Sequence, residues 1–132
     1  MKFRWSHAII LSAAIILMHA AGLLLGLYDQ GIPIDVPQHL LAGVLFGIIW
    51  IGWIHQQEIV LSHTMLFVST ISFVALLSVI WEVFEYLIWQ LLPTVSELLK
   101  WRSTTVHDLI GDMVAALIGG VIIALYAVYK KR

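Results

Sequence analysis

Four long apolar runs separated by short polar connectors account for nearly the whole chain. The first extends from about Ser6 to Leu27 and the second from about Val36 to Ile54. The third starts near Leu61 and stays oily as far as Pro93, and the fourth extends from about His107 to Tyr129. The connectors read "YDQGIPID", "HQQE" and "PTVSELLKWRSTT". A bilayer's hydrocarbon core takes about 20 helical residues, so the pattern predicts an all-α bundle of four transmembrane helices. The spans fall at about 6–27, 36–54, 61–92 and 107–129 of a single polytopic membrane domain. No internal repeat or low-complexity tract interrupts it.

The third run departs from this regularity. It carries no Asp, Glu, Lys or Arg from Leu61 until Glu82, and a helix rising 1.5 Å per residue climbs about 30 Å over that stretch. The apolar pattern nevertheless continues through "VFEYLIWQLL". Such a helix tilts, breaks or turns along the interface, with Trp81, Tyr86 and Trp89 in an aromatic belt.

Composition fixes the solvent: 61% of the 132 residues are hydrophobic and 11% charged, against about half and about a quarter in an ordinary soluble domain. The chain therefore reads as a multi-pass protein of the cell membrane, with the lipid bilayer as its first partner. There is no Cys, which excludes disulfides and thiolate metal sites, and no Asn, which excludes an N-glycosylation sequon. Nothing in the charge pattern points to nucleic acid. The first run resembles a secretory signal, but its apolar stretch outlasts a typical h-region, so a retained helix is expected.

Lys and Arg set the expected orientation. Lys2, Arg4, Lys130, Lys131 and Arg132 flank the termini, while Lys100 and Arg102 lie opposite, which predicts both termini cytoplasmic. All acids except Glu58 then fall on the outer side or in the outer halves of the spans.

Those acids are the candidate chemistry. Asp35 and His39 lie four residues apart at the start of the second span, as do Asp108 and Asp112 in the fourth; Glu82 and Glu85 lie three apart late in the third. Each pair shares a helix face, so three helices bring one His and five carboxylates to one depth. On the fourth helix Thr105, Asp108, Asp112, Ala115 and Gly119 form a mostly small stripe that admits a close neighbour and turns the aspartates inward. Asp35 and Asp108 also suit plain helix caps, the latter in a capping box with Thr105. Asp112 is a turn too deep for that, and Glu82 and Glu85 approach the helix end where the dipole opposes them. An ionisable group inside a span is a functional candidate by default. His19 reads as a hydrogen-bonded packing residue, and His7, His55 and His63 as edge residues; His107 turns to a different face from Asp108. The pairs Gly22/Gly26 and Gly43/Gly47 have GxxxG spacing, which serves packing inside the bundle or a homodimer. No phosphate loop, HExxH motif or nucleophile elbow is present.

Over about residues 35–123 the chain resembles VanZ-like proteins and the related YjdF-type inner-membrane proteins. "DVPQHLLAGVLFG" resembles their D-x-x-x-H helix opening, "WEVFEY" the acidic W/Y-E-x-x-E element of the YjdF type, and "HDLIGDMVAALIGG" the closing D-x-x-x-N/D followed by G-x-x-x-G. Asp112 stands where the VanZ pattern usually has Asn, which favours the YjdF type, and Ala115 replaces the first closing Gly. The YjdF type carries no assigned activity, and the VanZ name reflects an association with glycopeptide-antibiotic resistance. The resemblance implies Asp35, His39, Glu82, Glu85, Asp108 and Asp112 as functional positions, the set that depth had already selected.

Close carboxylates in a low-dielectric site share protons or bind a cation. The leading expectation is a divalent-metal site, for Mg, Mn or Zn, formed by His39, Glu82, Glu85, Asp108, Asp112 and Asp35. In a catalytic version Glu82 or Glu85 serves as base while a metal-bound water hydrolyses a lipid-linked or phosphate-containing envelope substrate. Two alternatives from other classes are a small proton- or cation-coupled transporter and a non-catalytic assembly subunit. The transporter needs a polar route to the cytoplasm, toward which the sequence offers only His19 and serines such as Ser69, Ser72 and Ser78.

Overall fold

The structure, a computed structural model, describes residues 5–101 and 106–130. Among them the elements are α1 (Trp5–Leu24), α2 (Asp35–Gln56), α3 (His63–Leu91), α4 (Pro93–Leu99) and α5 (Val106–Lys130). Four helices, α1, α2, α3 and α5, are long and apolar enough to cross a membrane, and the described residues contain no strand. The all-helical membrane bundle expected from the apolar runs is therefore present. Thr105, Arg102 and the terminal Lys2, Arg4, Lys131 and Arg132, on which the capping-box and orientation readings partly rest, lie outside the described residues.

In lipid the tails are as apolar as Leu, so helices associate through close packing of small residues. The seam between α2 and α5 follows that rule. A Cβ added at Gly43 would overlap the Ala116 carbonyl, and one added at Gly119 would overlap the Leu40 carbonyl from the other side. Gly47 meets Ile123, and Gly120 lies against Val74 of α3. The Gly43/Gly47 pair is thus spent inside the fold. Gly22 is likewise covered by Tyr28, while Gly26 turns the chain after α1 at φ +64°.

Helix α3 buries Leu66, Thr70, Val74, Ser78 and Glu82, residues spaced four apart and hence on one face. Its buried hydroxyls are satisfied within the helix: Thr70 Oγ1 donates to the Leu66 carbonyl at 2.7 Å and Ser78 Oγ to the Val74 carbonyl at 2.9 Å. The helix is continuous for 29 residues, about 43 Å at 1.5 Å each, which overhangs a hydrocarbon core of about 30 Å. It ends at Leu92, whose backbone (φ −134°, ψ 62°) leaves the helical region, as steric pressure from a following proline favours. Pro93 then opens the short α4. The run expected to tilt, break or turn is thus one unbroken helix that ends at Leu92, beyond both glutamates.

Helix α4 closes on Lys100 in the left-handed conformation (φ 57°). The Trp101 amide donates to the Ser96 carbonyl at 2.9 Å, and the Ser96 hydroxyl donates to the Trp101 carbonyl. Lys100 Nζ reaches Asp29 Oδ1 at 2.8 Å, tying the α4–α5 connector to the α1–α2 connector. At the opposite end Ile51, Ile54, Leu66 and Ala127 form an apolar cluster. Helix α1 packs broadly against α2 alone, leaving Ile9, Ile10, Ile16 and Leu17 exposed to lipid.

Candidate functional site

Three side chains from three helices meet at the end of the bundle that carries α4. His39 comes from the second turn of α2, Asp112 from the second turn of α5, and Glu82 from the buried stripe of α3. His39 Nδ1 lies 4.0 Å from Glu82 Oε1, and His39 Nε2 lies 3.8 Å from Asp112 Oδ2. One ligand-capable atom from each of the three lies within 4.8 Å of the others. Glu82 is 6% and Asp112 8% exposed, although both are acids.

The seam places them. His39 is one turn before Gly43, and Asp112 is one turn before Ala116, whose carbonyl Gly43 abuts. Glycine at that contact brings the backbones close enough for two short polar side chains to face each other. Glu82 follows Val74 and Ser78 up the same α3 face.

The distances decide what the arrangement can do. Both His–carboxylate separations exceed the 2.7–3.2 Å of a formed hydrogen bond, so the imidazole is flanked by the carboxylates without being clamped. A metal about 2.1 Å from each ligand needs ligand atoms about 3.0–3.4 Å apart. Closing from 4.8 Å is a side-chain adjustment. The donor set, one imidazole and two carboxylates, suits Mn or Zn and also accommodates Mg. The group could therefore hold a metal ion, and as it stands it is an ion-paired triad when His39 is protonated.

The other expected residues stand around this group. Glu85 is half-buried and within electrostatic reach of Glu82, Asp112 and Asp35. Asp35 and Asp108 are exposed at the helix starts, within electrostatic reach of Asp112. Asp35 is the first residue of α2 and not its cap; that position is Ile34, which makes no side-chain cap bond. Of the six positions, then, three converge, one lies beside them and two stand at the rim. His7, His55, His63 and His107 are all exposed.

A second polar group adjoins the first. His19 Nδ1 lies 2.7 Å from the Tyr28 hydroxyl, which also accepts from Gln38 Nε2 at 2.8 Å. Burial pushes the Tyr28 phenol above its ordinary range; Gln38's hydrogen bond acts the other way, and the charges of Asp35 and Glu85 add to the upward shift. The phenol therefore stays protonated and has a hydrogen to give His19. His19 is the hydrogen-bonded packing residue expected, but its partner Tyr28 and the neighbours Gln38 and Trp101 carried no signal in the sequence. They belong to connectors and a helix turn that only tertiary structure brings together.

On α3 and α5 the helix faces that carry Glu82 and Asp112 continue inward as closely packed small and apolar residues. Val74 and Ala124 are 0% and Ala116 2% exposed.

The fold and site define a multi-pass helical membrane protein with a buried His–Glu–Asp group at one end. The chain belongs to the family described as "Predicted membrane protein (DUF2238)", whose model matches residues 1–132. No curated protein and no solved structure matches it.

Proposed function

We propose that His39, Glu82 and Asp112 bind a divalent cation, and that the protein is of the VanZ-like, YjdF type and uses this site on a lipid-linked or phosphate-containing envelope substrate. The observation that carries the reading is the convergence of three ligand atoms from three helices in a buried site. Taking isolated carboxylates out of water is expensive unless a cation compensates them. Glu85, one turn beyond Glu82 and less buried, would act as the general base of the reaction that a bound cation would support; Asp35 and Asp108 form a rim that would attract the ion. With the termini cytoplasmic, as the Lys and Arg placement favours, the site faces the extracytoplasmic side.

A second reading has its own support. A protonated His39 between two carboxylates at 3.8 and 4.0 Å would hold α2, α3 and α5 together without any metal, as in an assembly subunit. The transporter reading has less, because the residues one and two turns below the site are small, apolar or hydrogen-bonded within their own helix. The Gly43/Gly47 face is occupied by α5 and gives no support to a homodimer.

The test is metal analysis of the purified protein with thermal unfolding in detergent, with and without chelator. A cation bound only by the folded state at a hundredfold excess over Kd stabilises it by about 2.7 kcal/mol, so chelator lowers the parent's Tm. Asp112→Asn and Glu82→Gln lose that response. A metal-free parent indifferent to chelator leaves the ion-paired triad in its place.

A further inference from the structure

The buried Nε2 of His19 has no hydrogen-bond partner among the described residues. With Gln38 donating to the Tyr28 oxygen, the arrangement in which the phenol also uses its own hydrogen has it donate to His19 Nδ1 and leaves the imidazole's hydrogen on Nε2. An unmet buried polar atom is uncommon in native structures, and this one is held in place by two hydrogen bonds in series.

Its surroundings limit the acceptor. His19 lies five residues before the end of α1 at Leu24, about 7 Å below that end at 1.5 Å per residue. Asp35 and Glu85 act on the adjoining Tyr28, which disfavours an anion at Nε2 and favours a neutral oxygen. Below the head groups, the first neutral oxygens a bilayer offers are the ester carbonyls of its glycerolipids.

Helix α1 packs broadly only on α2, and at this level the link between α1 and α3 is Trp101. Its ring lies 6.4 Å from His19 and 5.9 Å from both Trp81 and Phe84. A connector side chain moves more readily than a packed helix.

We propose that Trp101, lying between α1 and α3, covers a lateral binding site for an ester-linked glycerolipid whose carbonyl accepts the Nε2 hydrogen of His19. The head group then lies toward Glu85 and the His39–Glu82–Asp112 group, so the inference rests on the metal-site reading only for what happens to the head group. It names the substrate class of that site as a lipid that arrives from within the membrane.

The full chain in an alkyl maltoside, which has no ester, is titrated with the zwitterionic dihexanoyl phosphatidylcholine and with its dihexyl ether analogue, which lacks the carbonyls. Binding is followed by tryptophan fluorescence and by the ¹⁵N resonance of His19 Nε2. The ester lipid binds about tenfold tighter, the worth of one buried hydrogen bond, and shifts the Nε2 signal. His19→Asn keeps an acceptor at the Nδ1 position and loses the preference; His19→Gln keeps a donor at the Nε2 position and retains it. Equal binding of ester and ether lipids, or an Nε2 resonance unmoved by the ester lipid in the parent protein, overturns the proposal without any variant. Chelator is included in a parallel series. A parent that responds to chelator but ignores the ester linkage loses this site and keeps the metal, and the opposite result does the reverse.

Discussion

Gly43→Ala adds one methyl group where α2 crosses α5. The new Cβ would stand 2.7 Å from the Ala116 carbonyl carbon and 2.9 Å from its Cα, and closer still to the carbonyl oxygen, whereas ordinary contact begins near 3.4 Å. These neighbours are backbone and cannot swing aside, so the helices must separate by about 1 Å. Overpacking of this kind typically costs about 1–3 kcal/mol, set against a gain of about 1 kcal/mol in helix propensity from Gly to Ala. We expect a net loss of up to about 2 kcal/mol by unfolding in detergent. Gly111→Ala is the control, because a Cβ there meets nothing within 4 Å; it should be neutral or stabilising by up to about 1 kcal/mol. Separation at Gly43 also draws His39 from Asp112, so any chelator response of the parent should shrink in Gly43→Ala and persist in Gly111→Ala. A Gly43→Ala protein at least as stable as the parent would refute the close-packed seam and the positioning of the site that follows from it.

Tyr28→Phe removes the oxygen that serves both His19 and Gln38; it should cost about 1–3 kcal/mol by the same assay, and an unchanged melting curve would mean the network is not formed. Lys100→Ala breaks an exposed ion pair with Asp29 and should cost no more than about 1 kcal/mol, less at high salt; a larger loss would show that the connectors carry more of the stability than their exposure implies. Reporter fusions after Arg132 and within the "HQQE" connector should read cytoplasmic and one near Ser96 external. A C-terminal reporter on the outside would move the His39–Glu82–Asp112 group to the cytoplasmic face.

The helices were legible because their signal is local: unbroken apolar length, ended by the "PTVSE" and "DQGIP" breakers. Glu82 and Asp112 were legible because an acid so far inside a span has few structural excuses. Depth alone could not separate them from Asp35 and Asp108. The rim acids sit exposed in the first turns of α2 and α5, while Glu82 and Asp112 share the buried faces that the seam draws inward. The His19–Tyr28–Gln38 network was illegible because its members come from α1, a connector and α2 with no common period. Whether Gly43/Gly47 served the bundle or a second copy was equally undecidable from spacing, which specifies a close approach and not its partner.

The seam also sets the order in which the site comes into being. At about 5–20 residues per second, His39 and Glu82 are made seconds before Asp112, and Gly43 likewise waits for Ala116. Until α5 arrives, His39 and Glu82 have only each other, water or head groups as partners. The His39–Glu82–Asp112 group is thus a late product of synthesis, completed only when the last helix inserts, and a chain arrested before Val106 has no seam to assemble it.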